Sequence, residues 1–161
     1  MPVSDKVYVA IRQQSQPDEL GMLRVFIIDD SPIIRERLKK MMNSLGDIEI
    51  AGECSGYRES VLEISRTRPN VLFVDIKIVG GSGIDLLLEV EKKKWNMIKI
   101  VLSNYCTPAY RNACMMAGAD YFFDKSMDYV KLRRIIRKLA AAASSYQVEE
   151  KLRTGSRKKR H

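Results

Sequence analysis

Two short runs, Val71-Leu72-Phe73-Val74 and Ile98 to Leu102, are apolar almost throughout, with Lys99 as the break in the second. A strand with one exposed face alternates apolar and polar residues, so a continuous run marks a strand covered on both sides. Covering a strand on both sides takes helices on either face of a mostly parallel sheet. That requirement constrains the fold more than any bulk property of the chain.

The rest of the chain supplies those helices. Leu23 to Ile28 reads as the first strand of the sheet, followed by Ser31-Pro32, a helix N-cap with proline in the first turn. Ile34, Leu38, Met41 or Met42, and Leu45 recur at helical spacing up to Gly46. Ile48 to Glu53 alternates as an edge strand does, and a helix over 57–67 is stopped by Arg68-Pro69-Asn70. Further helices are expected over 84–93, 108–117 and 128–143, with a strand at 121–123. Five βα units in this order predict a parallel sheet with right-handed crossovers. Residues 1–21 are expected to be an extension, partly disordered, with a β-like stretch at Val7-Tyr8-Val9-Ala10-Ile11 and a polar linker through Pro17. The domain itself is placed at 22–143, and 144–161 is taken as a basic tail.

Open parallel sheets bind ligands beyond the carboxyl ends of their strands. Four of the predicted strands end in chemically active residues there: Asp29-Asp30, Asp75, Ser103 and Lys125. Three carboxylates brought together repel unless a cation intervenes. Mg²⁺ takes oxygen ligands, commonly one or two carboxylates with waters and phosphate oxygens. A carboxylate can also be the nucleophile that forms an aspartyl phosphate. The set therefore suits Mg²⁺ and a phosphoryl group, with Lys125 neutralising charge and Ser103 donating a hydrogen bond.

Bulk properties exclude little more. The net charge of +8 belongs mostly to the end of the chain: residues 1–150 carry 22 basic and 20 acidic side chains, whereas the last eleven carry six basic ones and no acid. Such a tail is read as solvated, with contact to nucleic acid or an acidic partner as the alternative. No apolar window is long enough for a membrane span and the N-terminus has no secretion pattern, so the cytoplasm is the expected compartment. Cys54, Cys106 and Cys114 lack metal or disulfide spacing. His161, the only histidine, lies in the tail and is read as incidental, and Gly80, Gly81 and Gly83 as a flexible loop without the ending of a phosphate-binding motif.

The segments Val25-Phe26-Ile27-Ile28-Asp29-Asp30-Ser31-Pro32, Val71 to Ile76, Gly83-Ile84-Asp85-Leu86-Leu87, Val101-Leu102-Ser103 and Gly118 to Lys125 together resemble the receiver domain of two-component response regulators. The resemblance runs from Arg24 to about Ala143, about three quarters of the chain. It implies a flavodoxin-like (βα)5 fold with strand order 2-1-3-4-5. It implies that Asp75 accepts phosphate from a sensor histidine kinase or phosphotransfer protein. Asp30 and Asp75 would bind Mg²⁺ directly, with the backbone carbonyl of Lys77 as a third ligand and Asp29 acting largely through water. Lys125 would pair with the phosphoryl group, Ser103 would move towards it, and Phe122 would swing inward as the switch aromatic.

Signalling would then pass to a downstream protein through the helix 108–117, strand 121–123 and helix 128–143 face, with no separate output domain. The alternatives are a degenerate receiver acting as a scaffold and a regulator whose basic tail contacts nucleic acid, and homodimerisation through the last-helix face is left open. Nucleic acid is not expected as a partner, since the residues after the last helix are too few for a helix-turn-helix. The chain is expected to be a phosphoacceptor rather than an enzyme acting on a separate substrate. An aspartyl-nucleophile phosphatase would carry a second acid two residues after Asp75, where Lys77 stands. Val79 replaces a proline common in receivers, Asn104 a small residue, and Ser126 a proline after the lysine, which leaves the lifetime of the phosphorylated state open.

Overall fold

A computed structural model describes residues 3–14 and 21–158. Its main sheet has five parallel strands: β1 (Leu23–Ile28), β2 (Ile48–Cys54), β3 (Val71–Val74), β6 (Ile98–Ser103) and β7 (Tyr121–Asp124). Their order is β2-β1-β3-β6-β7, which in terms of the five sheet strands is the expected 2-1-3-4-5. Two further strands, β4 (Lys77–Ile78) and β5 (Gly81–Ser82), form a small antiparallel pair beside β3 in the chain.

The pleat divides the core in two. On one face Val25, Ile27, Val71, Phe73, Ile98, Ile100 and Leu102 pack under α1 (Val3–Gln14), α2 (Pro32–Asn43) and α6 (Tyr129–Lys158). On the other, Phe26, Ile28, Leu72, Val74 and Val101 pack under α3 (Tyr57–Thr67), α4 (Gly83–Lys92) and α5 (Pro108–Met116). Both β3 and β6 are buried on both faces, as their apolar runs predicted, and β2 is the partly exposed edge. Lys99 is only 2% exposed, and its ammonium pairs with Glu91 at the end of α4. A buried cation is tolerated when it has such a partner. All three cysteines are free, and burial pushes the Cys114 thiol up to about 11.

Two expectations about the chain's ends are corrected. The stretch Val7 to Ile11 is helical, within α1. Its side chains at 7, 10 and 11 have the i, i+3, i+4 spacing of a helix face, and all three are fully buried. Packing thereby overrides the β preference of its valine and isoleucine residues. The last helix does not stop at Ala143 but runs to Lys158, about 45 Å at 1.5 Å per residue. The two corrections have one cause. Ala140, Ala143 and Tyr146 are buried in the same cluster as Val7 and Ile11. Tyr8 lies against Tyr146 with ring centroids 5.3 Å apart, and the Arg12 guanidinium donates to the Tyr146 hydroxyl at 3.1 Å. Lys6 pairs with Asp120, and Asn96 donates to Gln13, tying α1 to the amino ends of β7 and β6. The reading of 15–20 as a linker, and the part of the tail at 159–161, lie outside the described residues.

Candidate functional site

Backbone hydrogen bonds place the acids. The Asp75 N–H donates to the Ile28 carbonyl at 3.0 Å, and the Asp29 N–H donates to the Cys54 carbonyl at 3.1 Å. The first bond sets the carboxyl ends of β1 and β3 side by side, and the second ties β1 to β2. As a result, oxygens of Asp29, Asp30 and Asp75 all lie within 4.8 Å of one another, with Asp29 and Asp75 buried and Asp30 exposed.

Lys125 enters this cluster from the end of β7. Its ammonium is 2.7 Å from Asp29 Oδ2 and 2.7 Å from Asp75 Oδ2. Asp29 Oδ1 accepts the Ser31 N–H at 2.9 Å, whereas Asp75 Oδ1 is buried with no hydrogen-bond partner among the described residues. One ammonium faces three carboxylates, so the cluster keeps an excess of negative charge. Burial accordingly pushes the Asp29 carboxyl up, against the pull of Lys125 and the Ser31 N–H, and the nearby Asp75 adds to the rise. For Lys125, burial favours the neutral amine, but the hydrogen bonds to Asp29 and Asp75 outweigh it and its pKa is raised.

The remaining predicted residues surround this cluster without joining it. Ser103 is buried at the end of β6, where its Oγ accepts the Tyr105 N–H at 3.0 Å. Its carbonyl accepts the Lys125 N–H at 3.1 Å, tying the hydroxyl loop to the lysine. Phe122 is already buried, with the Arg111 guanidinium 4.7 Å above its ring. Lys77 is exposed and pairs with Ser82 in the β4–β5 hairpin. Val79 has a reason to differ from proline: its N–H donates to the Ser55 carbonyl at 2.9 Å, a bond proline cannot make.

Two further residues support the site in ways that the sequence reading did not assign to them. Arg35, on α2, donates to the Asp29 carbonyl at 2.7 Å. Gly83 begins α4 close to the end of β3, and a Cβ built there would stand 2.0 Å from the Asp75 carbonyl oxygen. The glycine run read as a flexible loop is instead ordered: Gly81 belongs to β5, and the Gly83 N–H donates to the Ile76 carbonyl at 2.7 Å. The signal was position, a glycine directly opening a helix eight residues after the central acid.

Residues 25–137 match the response regulator receiver domain. The chain belongs to this family. Among relatives, the transcriptional regulatory protein BtsR of Escherichia coli K12 is 30% identical over 129 residues, covering 79% of this chain and 52% of that protein. The DNA-binding transcriptional activator DevR/DosR of Mycobacterium tuberculosis is 23% identical over 123 residues, covering 76% of this chain and 57% of that protein. The receiver domain described here thus spans about half the length of these curated relatives. In fold, it resembles the DNA-binding response regulator of the LuxR family from Staphylococcus aureus, with a TM-score of 0.68 at 24% identity, covering 74% of this chain and 99% of that one. It also resembles the response regulator domain of Thermotoga maritima CheB, with a TM-score of 0.66 at 24% identity over 77% and 97% of the two chains.

Receiver domains are signalling domains, phosphorylated by histidine kinases and typically binding Mg²⁺ at acidic residues. The residues present here fit that ion. Three carboxylates converge, and the unpartnered Asp75 Oδ1 is a buried hard-oxygen donor of the kind Mg²⁺ takes. No helix among the described residues is long and apolar enough to cross a membrane.

Proposed function

We propose that this receiver domain is a phosphorylation-controlled switch of a cytoplasmic two-component system, with Asp75 accepting a phosphoryl group from the histidine of a sensor kinase or phosphotransfer protein. The observation that carries the reading is the Asp75 carboxylate itself: Lys125 holds Oδ2, and Oδ1 is buried, unpartnered and flanked by Asp29 and Asp30. In the transfer, an Asp75 oxygen forms the new P–O bond as the P–N bond to the donor histidine breaks and the imidazole keeps the electron pair. Asp30, Asp75 and the Lys77 carbonyl would hold Mg²⁺ directly, with Asp29 acting largely through water, and the ion would supply positive charge to the phosphoryl oxygens.

The protein's own residues then register the product. Phosphorylation turns the Asp75 carboxylate into an acyl phosphate of about −2, adding acceptor oxygens and about one negative charge. Lys125, balanced between two carboxylates beforehand, gains a stronger partner. Ser103 has an O–H to donate while its Oγ accepts from Tyr105, so drawing the hydroxyl inward pulls the loop at 104–107 with it. Phe122 lies opposite Val101 on β6, one strand residue from Leu102, and Arg111 covers it and bonds its carbonyl at 3.4 Å. A shift of that loop therefore biases the packing of Phe122 and α5, the surface that a downstream protein would read.

The test is incubation with acetyl phosphate and Mg²⁺, followed by intact mass and a phosphate-affinity gel. A mass gain of one phosphoryl group, lost in Asp75→Asn, supports the reading. No modification of a folded protein by either acetyl phosphate or a kinase would leave the scaffold alternative.

A second reading concerns nucleic acid, which the sequence alone argued against. Relatives named as transcriptional regulators remove that argument for the whole protein. On this chain, Arg134, Arg137 and Lys138 are exposed on α6, and no acid occurs between Tyr129 and Val148. Binding to duplex DNA that weakens steeply with salt and with Arg134→Ala would support it.

A further inference from the structure

Lys125 directly follows β7, in the turn that leads to α6. A lysine side chain has four rotatable bonds, so its ammonium is placed only as firmly as its own backbone is held. On one side the Lys125 N–H is tied to the Ser103 carbonyl. On the other there is no proline to stiffen the turn, and the residues that follow, Ser126 and Met127, are exposed.

A carboxylate closes this turn. Asp124 Oδ1 accepts the Ser126 N–H at 2.7 Å and the Met127 N–H at 3.2 Å. The Asp124 carbonyl accepts the Asp128 N–H at 3.1 Å, and the Asp124 N–H donates to Asp128 Oδ2 at 3.0 Å. Asp128 in turn starts α6, its carbonyl accepting the Leu132 N–H at 2.8 Å. The residue before Lys125 therefore holds the next two residues by its side chain and the start of α6 by its backbone. The backbone N–H groups of Ser126 and Met127, with the Cys106 thiol, hold the Asp124 carboxyl below the usual range, which keeps it the ionised acceptor these bonds favour.

We propose that Asp124, which accepts the Ser126 and Met127 N–H groups and bonds reciprocally with Asp128, is a positioning residue that sets the Lys125 ammonium for the phosphoryl group. The inference rests on the phosphoryl reading above. Asp124 does not touch the reacting atoms; it acts through the backbone of the neighbour that does. The arrangement makes a split prediction. Lys125 attracts a phosphoryl group but competes with a metal ion for Asp29 and Asp75. Loosening Lys125 should therefore weaken phosphoryl binding and leave Mg²⁺ affinity equal or tighter. General loosening of the fold would weaken both.

The experiment is calorimetric titration of the full chain with Mg²⁺ alone, and then with beryllofluoride at saturating Mg²⁺. Losing two backbone hydrogen bonds in Asp124→Ala is expected to weaken beryllofluoride binding about tenfold, with Mg²⁺ binding no weaker. Asp124→Asn keeps an acceptor oxygen and should bind within about threefold of the parent. Asp128→Ala removes the reciprocal bond, should give the same pattern at about threefold, and carries the test if Asp124→Ala does not fold. Equal beryllofluoride affinity in parent and Ala variants, or parallel loss of Mg²⁺ and beryllofluoride binding, overturns the positioning role alone. A parent protein that binds no beryllofluoride and takes no phosphoryl group from acetyl phosphate overturns the underlying reading as well.

Discussion

The two ends of the sheet are built on opposite principles. At the carboxyl ends of the strands, Asp29, Asp30 and Asp75 crowd near one ammonium, and a buried carboxylate oxygen has no partner among the described residues. At the amino ends, α1 covers the second half of α6 with Val7, Ala10, Ile11, Ala143 and Tyr146, all buried, and the polar groups at its margin are paired. The first end holds charge ready for a ligand at a cost in stability, and the second end supplies stability without chemistry. Such a division is expected where function needs groups that folding alone would not bury together.

The sharpest way to break the comparison is at the first end. Asp75→Asn should abolish phosphorylation by acetyl phosphate, read by intact mass, while the protein stays folded. At the second end, a chain starting at Met22 loses the burial of Val7 and Ile11 and uncovers Tyr146. The loss of about 4 kcal/mol should lower Tm by about 10 °C, with little change in the phosphorylation rate measured below the transition. If Tm is unchanged, α1 is not the support described.

Gly83→Ala couples the two properties, because its methyl group would meet the Asp75 carbonyl oxygen at 2.0 Å. Stability should fall by about 1–3 kcal/mol, and phosphorylation should slow by about tenfold or more as Asp75 is displaced.

The smallest expected effect is a change in pH dependence. Burial raises the Asp29 carboxyl in the folded protein, so without Mg²⁺ the native state binds more protons than the unfolded chain. Stability then falls as pH rises from the unfolded value of about 3.9 through the raised folded value. Asp29→Asn should remove that acid-range slope, seen by urea titration at several pH values, and should weaken Mg²⁺ binding. Lys125 has a slope of the same sign in the alkaline range: its raised value contributes stability that is present below the unfolded pKa of about 10.4 and is lost as pH rises through the folded one.

The carboxyl-end site was legible because its information is local. Each acid, hydroxyl or lysine directly ends an apolar run, and parallel pairing brings run ends together whatever the details of packing. The same logic could not find Arg35, whose contact to the Asp29 carbonyl depends on the turn of α2, nor Asp124, whose four bonds depend on a turn conformation. Gly83 was visible as a glycine but not as a close approach, since closeness is a property of two segments. The Val7 to Ile11 stretch was misread for a related reason. Its composition favours a strand, and only the presence of Ala140, Ala143 and Tyr146 opposite it makes the helical face the one that buries more.

By itself, then, the sequence determined the doubly wound sheet, the strand ends and the members of the acidic cluster, because alternation and run length act within single elements. Only the tertiary structure decided that α1 is a helix, that α6 extends to Lys158, and that Asp75 keeps one oxygen free while Lys125 holds the other. Those outcomes depend on which surfaces meet, and free energies of burial and charge are settled between segments rather than within them.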